Sequence, residues 1–377
     1  MDSKAIVARE PTNGPSWNLE DIIVGPPADD EVIVKITASG ICHTDLTLAS
    51  IPTGTRLGVA YPRIVGHEGA GIIQAIGKNV RSVVAGDRVL LSYYSCSDCA
   101  QCNVSLPSYC SQFNIENYAG RKGPAVVSKD NNEEILARFF GQSSFAEYAI
   151  AAEASVMKVN ELLQSDDELS LFAPLGCGFQ TGMGAVANVA KAGPNDVVMI
   201  LGMGAVGMAA LMTAKIRNSK IIIALDRFPS RLELAESLGA THTINTTVPE
   251  FDFQQAVRKI SPPGASVIVD TTGVPKLIEE ALASLSPLGK IVHIAPTPPG
   301  WKLSLDLTAL FMTGKTITGC IEGNCIPSEA VPQMIQWYRE GKFPIDKLIT
   351  FFPALEFQDA LDQLNNGSVL KPVLNWS

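Results

Sequence analysis

The sequence predicts an α/β chain in which a doubly wound parallel sheet is joined to an irregular β-rich domain. Three observations carry that prediction. Residues 1 to about 150 run as short alternating stretches broken by glycine and proline. From about 197 to 320 the pattern changes to apolar strands with helical patterns between most of them. The second stretch opens on Val197–Asp226, VVMILGMGAVGMAALMTAKIRNSKIIIALD, in which strand, glycine-rich turn, helix and second strand follow one another.

Taken in order, a first strand is expected at Ala5–Ala8. Glu31–Ile36 and Phe145–Ile150 alternate as half-buried strands do. The parallel sheet is expected to use Val197–Leu201, Ile221–Leu225, Thr241–Ile244, Val267–Asp270, Ile291–Ile294 and Thr316–Gly319. Helices are expected at about Ala205–Ile216, at Ser230–Leu238, which Gly239 stops, and at Lys276–Leu285. After about residue 322 come a helix near Pro332–Glu340 and a closing apolar run, Val369–Leu374. That tail has too little core to stand alone and should pack back onto the first domain. The predicted division is 1–178, 179–321 and a returning 322–377.

The central stretch also carries chemistry. Gly202, Gly204 and Gly207 form G-x-G-x-x-G, with Ala205 and Val206 between the last two. Between a strand and a helix this is the dinucleotide-binding fingerprint of a Rossmann sheet. Gly202 turns the strand, Gly204 leaves room for a pyrophosphate, and Gly207 lets helix and strand approach. The helix start offers free N–H groups to the phosphates. Asp226, 19 residues after Gly207, stands where a carboxylate reads the ribose 2′-OH. This favours NAD over NADP, and the adjacent Arg227 weakens the preference without reversing it. Val197–Ala214 is eighteen residues without a charge, but its three glycines and flanking Asp196 and Lys215 argue against a membrane span.

The chain has 377 residues, 46% hydrophobic, with a formal charge of −9. Such a balance argues against a nucleic-acid surface. No signal peptide, transit peptide or lipidation signal is read at the N-terminus, so a cytoplasmic protein is expected. Eight cysteines in such a chain read as thiolate ligands before disulfides. Cys96, Cys99, Cys102 and Cys110 give C-x2-C-x2-C-x7-C, a closed thiolate set suited to a structural Zn²⁺. An iron–sulfur cluster is the rival, although Ser111, not proline, follows Cys110. Cys42, His67 and Cys177 lie in three separate glycine-containing segments, each expected to be a turn. They would suit a catalytic zinc with an open position. By residue type alone, ordinary burial accounts for them better.

The quoted residues match a family. The chain resembles the zinc-containing medium-chain alcohol dehydrogenases over essentially its whole length. The match rests on Gly40-Ile41-Cys42-His43-Thr44-Asp45, Gly66-His67-Glu68-Gly69-Ala70-Gly71, Gly86-Asp87-Arg88-Val89, the four-cysteine lobe, Gly176-Cys177-Gly178-Phe179-Gln180-Thr181-Gly182 and the glycine-rich turn. The resemblance implies a GroES-like catalytic domain beside the Rossmann domain. It also implies two zinc ions per chain, one catalytic on Cys42, His67 and Cys177 and one structural on the four-cysteine lobe. Glu68 sits beside the catalytic ion and exchanges onto it. Asp45 orients His67. Thr44 takes the alcohol proton and passes it on through the cofactor ribose. Arg231 meets the adenosine ribose, and His43 and Lys371 meet the pyrophosphate. The backbone around His293, Ala295, Cys320 and Glu322 holds the nicotinamide carboxamide.

Gly341-Lys342-Phe343-Pro344 and Leu370-Lys371-Pro372 look most like the aryl-alcohol (benzyl-alcohol) dehydrogenase branch. Thr47 stands where some members end the proton relay with histidine, which leaves that step to His43 or water. One residue is missing between Asp87 and Cys96, so the pocket wall from that loop falls to Ser92, Tyr93 or Tyr94. Phe140, Tyr93 and Tyr94 read equally as walls for a flat substrate or as core. The implied reaction interconverts an aryl or bulky alcohol and its carbonyl compound by hydride transfer to NAD, in a cleft between the domains. Glutathione-dependent formaldehyde dehydrogenase, a specialised-metabolism carbonyl reductase and a zinc-free quinone reductase share the fold. A non-enzymatic NAD- and zinc-binding protein is the alternative from another class. A small-molecule substrate and a homodimer or homotetramer are expected, the latter because Thr316–Gly319 would otherwise leave an open sheet edge.

Overall fold

The computed structural model describes residues 1–12, 14–54, 57–119 and 125–376. Alternating sequence becomes strand throughout its first part: β1 (Asp2–Arg9), β2 (Ser16–Val24), β3 (Glu31–Gly40), β4 (Arg63–Ile64), β5 (Gly69–Ile76), β6 (Arg88–Leu91), β7 (Val126–Ser128), β8 (Tyr148–Ala152) and β9 (Val156–Lys158). Short runs, apolar at the centre, then give a parallel sheet of β10 (Val197–Leu201), β11 (Ile221–Asp226), β12 (His242–Asn245), β13 (Ala265–Asp270), β14 (Leu285–His293) and β15 (Thr316–Gly319). The tail adds β16 (Ile349–Pro353) and β17 (Lys371–Asn375).

Packing divides the chain into two units. The first holds Met1–Cys177, Ile326–Tyr338 and Pro344–Ser377, the second Gly178–Cys325 and Arg339–Phe343. Sequence reasoning placed the boundaries at 178/179 and 321/322. In the first unit β4-β1-β2-β7 form one sheet and β16-β17-β3-β5-β6-β9 a second, to which β8 adds beside β3. The returning tail joins through β17, antiparallel to β3, with Val373 opposite Gly40. In the second unit the order is β12-β11-β10-β13-β14-β15. Strand order therefore reverses between β10 and β13, where a doubly wound sheet opens its ligand crevice. The strands at its centre are buried on both faces, which is why they read as unbroken apolar runs.

Three local expectations change. Phe145–Glu147 is not part of β8, because Ile6 N–H donates to Phe145 O and Phe145 N–H donates to Val65 O, which tie it to other segments. Leu285 does not end a helix: the helix stops at Ala283 and β14 begins at Leu285. Cys42–Asp45 is not a turn but opens the helix His43–Ala49, with Cys42 at its cap.

Candidate active site and metal centres

Three segments of the first unit converge on one point. Cys42 caps the helix His43–Ala49, directly after β3. His67 lies on the loop from β4 to β5, where Gly66 takes φ +89°, and a Cβ on Gly66 would stand 2.4 Å from Phe145 Cδ1. Cys177 follows Gly176, whose carbonyl accepts from Ser92 Oγ at 2.6 Å. The ligand atoms of Cys42, His67 and Cys177 all lie within 4.8 Å of one another. His67 Nε2 is 3.2 Å from Cys177 Sγ.

Asp45 organises this cluster. Its Oδ2 accepts from Cys42 N–H at 2.9 Å, and its Oδ1 accepts from Gly66 N–H at 3.0 Å. The same Oδ1 is 2.8 Å from His67 Nδ1, so the ring turns Nε2 toward the two cysteines. Asp45 is wholly buried. Burial opposes charge on His67, but Asp45 and then Cys42 outweigh it and hold the imidazole well above its usual range. Hydrogen bonding from Cys177, with help from His67 and Lys371, holds the Cys42 thiol well below its usual range despite burial. The thiolate is the ligating form, so the donor set suits a soft dication, and two sulfurs and one nitrogen fit zinc.

Glu68, the next residue, does not face the cluster alone. Lys371 Nζ lies 2.9 Å from both of its carboxylate oxygens and donates to Ile41 O at 3.0 Å. Burial pushes the Glu68 carboxyl up to about 7 against the pull of Lys371. Glu68 in turn raises Lys371 although burial opposes its charge. Lys371 is thus held inside the first unit by Ile41 and Glu68. His43 is exposed and Thr44 half-buried, with Thr44 Oγ1 3.8 Å from Cys42 Sγ.

Aromatic rings surround His67. Phe140 stacks on it at 4.4 Å and Phe139 meets it edge-on at 5.4 Å. Tyr118 and Phe113 pack on Phe140 in turn. Tyr93 is buried in the same core cluster, and Tyr94 is half-buried. Gln142 was missed by sequence reasoning. Its amide donates to His67 O and Ser92 O and its Oε1 accepts from Gly69 N–H, binding the His67 loop to the strand ends. Nothing in its spacing marked it, since all three partners are distant in sequence.

Cys96, Cys99, Cys102 and Cys110 form a second cluster, their sulfurs within 4.8 Å of one another and none in a disulfide. Ser111 N–H reaches Cys99 Sγ, and Cys96 and Gln112 N–H reach Cys110 Sγ. Backbone N–H groups of Ser111 and Cys102 lower the Cys99 thiol to about 5, and such donors stabilise thiolates. This donor set fits a closed four-sulfur zinc site.

In the second unit Gly204 caps the helix Ala205–Ile216, and nothing lies within 4 Å of where its Cβ would stand. A Cβ on Gly207 would come within 1.8 Å of Gly202 O. The turn thus presents the amides of Ala205 and Val206 beside open space, a cradle that fits a pyrophosphate. Asp226 ends β11 and accepts from Met203, Arg227 and Phe228 N–H at 2.6, 2.7 and 2.9 Å. Arg227 and Arg231 flank the Phe228 ring, each 4.7 Å from its centre. Ala295 follows β14 and is half-buried. Cys320 N–H already donates to His293 O, so only its carbonyl remains for a carboxamide. Glu322 is buried and accepts from Gln180 Nε2 and Thr181 Oγ1.

Comparison with known proteins agrees with this geometry. Residues 28–161 match the family described as alcohol dehydrogenase GroES-like domain, and residues 205–340 match zinc-binding dehydrogenase. The chain is 35% identical to geraniol dehydrogenase of Castellaniella defragrans, over 99% of this chain and 98% of that one. The chain belongs to the zinc-containing medium-chain alcohol dehydrogenases. It is therefore an oxidoreductase acting on alcohols. It is also 31% identical to alcohol dehydrogenase 6 of Peromyscus maniculatus, over 98% and 97% of the two chains. The crystal structure of benzyl alcohol dehydrogenase from Acinetobacter calcoaceticus superposes with TM-score 0.90 at 37% identity, covering all of both chains. Among the described residues no helix is long and apolar enough to cross a membrane.

Proposed function

We infer that the protein is an NAD-dependent zinc alcohol dehydrogenase interconverting an aryl or similarly bulky unsaturated alcohol and its carbonyl compound. The observation that carries this is the convergence of Cys42, His67 and Cys177, with Phe140 stacked on the histidine and further aromatic rings behind it. Flat rings packed behind the histidine suit a flat substrate, with Phe140, Phe139 and Tyr93 themselves buried in the core. The names of the relatives, geraniol and benzyl alcohol dehydrogenase, point the same way.

Cys42, His67 and Cys177 would hold the catalytic zinc, and Cys96, Cys99, Cys102 and Cys110 the structural one. Zinc, when bound, supplies Lewis acidity that eases loss of the alcohol proton, and NAD, when bound, accepts the hydride. Thr44 accepts the alcohol proton at Oγ1 as its own hydroxyl proton leaves, and His43, exposed on the same helix, or water delivers that proton to solvent. Asp45 keeps His67 in the ligating tautomer. Lys371 holds Glu68 back from the cluster, and Glu68 would exchange onto the metal when that pair opens. Gly202–Gly207 would cradle the pyrophosphate, with Asp226 and Arg231 at the adenosine ribose.

The test is NADH formation from benzyl alcohol and geraniol beside small aliphatic alcohols, with NADP and zinc-chelated controls. Turnover of the bulky alcohols with NAD, lost on chelation, is the expected result. Turnover of small alcohols alone would discard the substrate assignment and keep the zinc chemistry.

The chain would assemble through the β15 edge. The helix Leu307–Thr313 just before β15 buries none of its residues, and Leu307, Phe311 and Met312 are 71–80% exposed. Leu288 beside Gly314 is 81% exposed. An apolar patch at an open strand edge suits a second copy of the chain. Phe311→Asp is expected to convert the native oligomer to monomer in light scattering at micromolar protein. An unchanged mass would place the interface elsewhere.

A further inference from the structure

The side chain of His293 has no part in the chemistry above. It ends β14 and pairs in register with Asp270, the last residue of β13. Its Nδ1 lies 2.9 Å from Asp270 Oδ2, and the Asp270 side chain is wholly buried. Asp270 Oδ1 accepts from the N–H and Oγ1 of Thr272, at 2.9 and 2.6 Å, so the carboxylate is fixed at both oxygens. The imidazole keeps 31% of its surface exposed, and its Nε2 has no hydrogen-bond partner among the described residues. Thr271 Oγ1, one residue past Asp270, donates to Leu201 O at 2.8 Å. The pair is thus tied to the glycine-rich turn.

A dinucleotide crosses a doubly wound sheet where strand order reverses, here between β10 and β13. Asp226, at the end of β11, marks the adenosine side. The nicotinamide half then belongs over the ends of β13 and β14, where His293 stands. We propose that His293, oriented by Asp270, is a cofactor-binding side chain whose Nε2 hydrogen-bonds the nicotinamide half of the dinucleotide. This rests on the reading of NAD as the cofactor. With Nδ1 directed to Asp270, neutral imidazole offers Nε2 as an acceptor, and imidazolium offers it as a donor. A ribose hydroxyl or a carboxamide meets both forms, whereas a phosphate oxygen only accepts. The group contacted is therefore the nicotinamide ribose hydroxyl or the carboxamide. Asp270 is a positioning residue.

The experiment is calorimetric titration of the full-length zinc-loaded protein with NADH, ADP-ribose and AMP. Wild type, His293→Ala, His293→Gln, Asp270→Asn and the double variant His293→Ala/Asp270→Asn are compared. His293→Ala is expected to weaken NADH about three- to tenfold, the loss of one hydrogen bond, and to leave AMP unchanged. ADP-ribose weakened equally assigns the ribose hydroxyl, and ADP-ribose unchanged assigns the carboxamide. His293→Gln, which can still donate and accept, should recover part of the loss. Asp270→Asn alone should weaken NADH but add nothing in the His293→Ala background. NADH affinity unchanged in His293→Ala, or NADH and AMP weakened alike, would overturn the proposal and leave the pair a structural cap on the strand ends. A wild type that binds no NADH would overturn the cofactor reading and this proposal with it.

Discussion

Cys177→Ser is expected to reduce bound zinc from two ions per chain to one and to lower turnover by roughly 10³-fold, the equivalent of several kcal/mol of lost Lewis-acid stabilisation. Serine keeps nearly the size of cysteine but not the soft thiolate that zinc prefers. Cys177 closes the first unit and its sulfur sits 3.2 Å from His67 Nε2, so its loss removes one ligand without emptying a core. The four-cysteine lobe is a separate cluster and should keep its ion. Metal analysis, steady-state rates and thermal melting of the same preparation check all three parts. A variant that kept both ions and full turnover would show that Cys177 is not a ligand.

Asp45→Asn tests the support behind those ligands. Asp45 receives Cys42 N–H and Gly66 N–H and faces His67 Nδ1, three contacts on two oxygens. Asparagine keeps the shape, yet its amide turns an N–H toward one of these donors. Loss of such an outer partner typically costs 10–100-fold in metal affinity. Competition against a zinc chelator is expected to show a loss of that size at one site per chain, with activity falling in step. Unchanged zinc affinity would mean that Asp45 serves the helix cap at Cys42 and not the metal.

Much of the second unit is legible in the sequence. Its central strands β10, β11 and β13 are apolar because both faces are covered, and Gly202, Gly204 and Gly207 mark the turn that follows β10. The errors fall where tertiary partners overrule local pattern. Phe145–Glu147 alternates like a strand but is held by Ile6 and Val65. Leu285 continues a helical pattern but pairs with Ala265 in the sheet.

The site divides along the same line. The spacing of the four-cysteine lobe was enough to name it, because thiolate chemistry is written in the residues themselves, whereas Cys42, His67 and Cys177 were singled out only by the resemblance to the family. What the sequence could not contain is distance. Only the folded chain brings the ligand atoms of residues 42, 67 and 177 within 4.8 Å of one another, since each sits on a different segment. Only the fold brings Lys371 to Glu68, through the pairing of β17 with β3, a contact that no spacing in the sequence announces. Gln142 and the pair Asp270–His293 likewise have no spacing that marks them. Their roles depend on hydrogen bonds between strand ends far apart in the chain, and those bonds exist only once long-range packing has set the register.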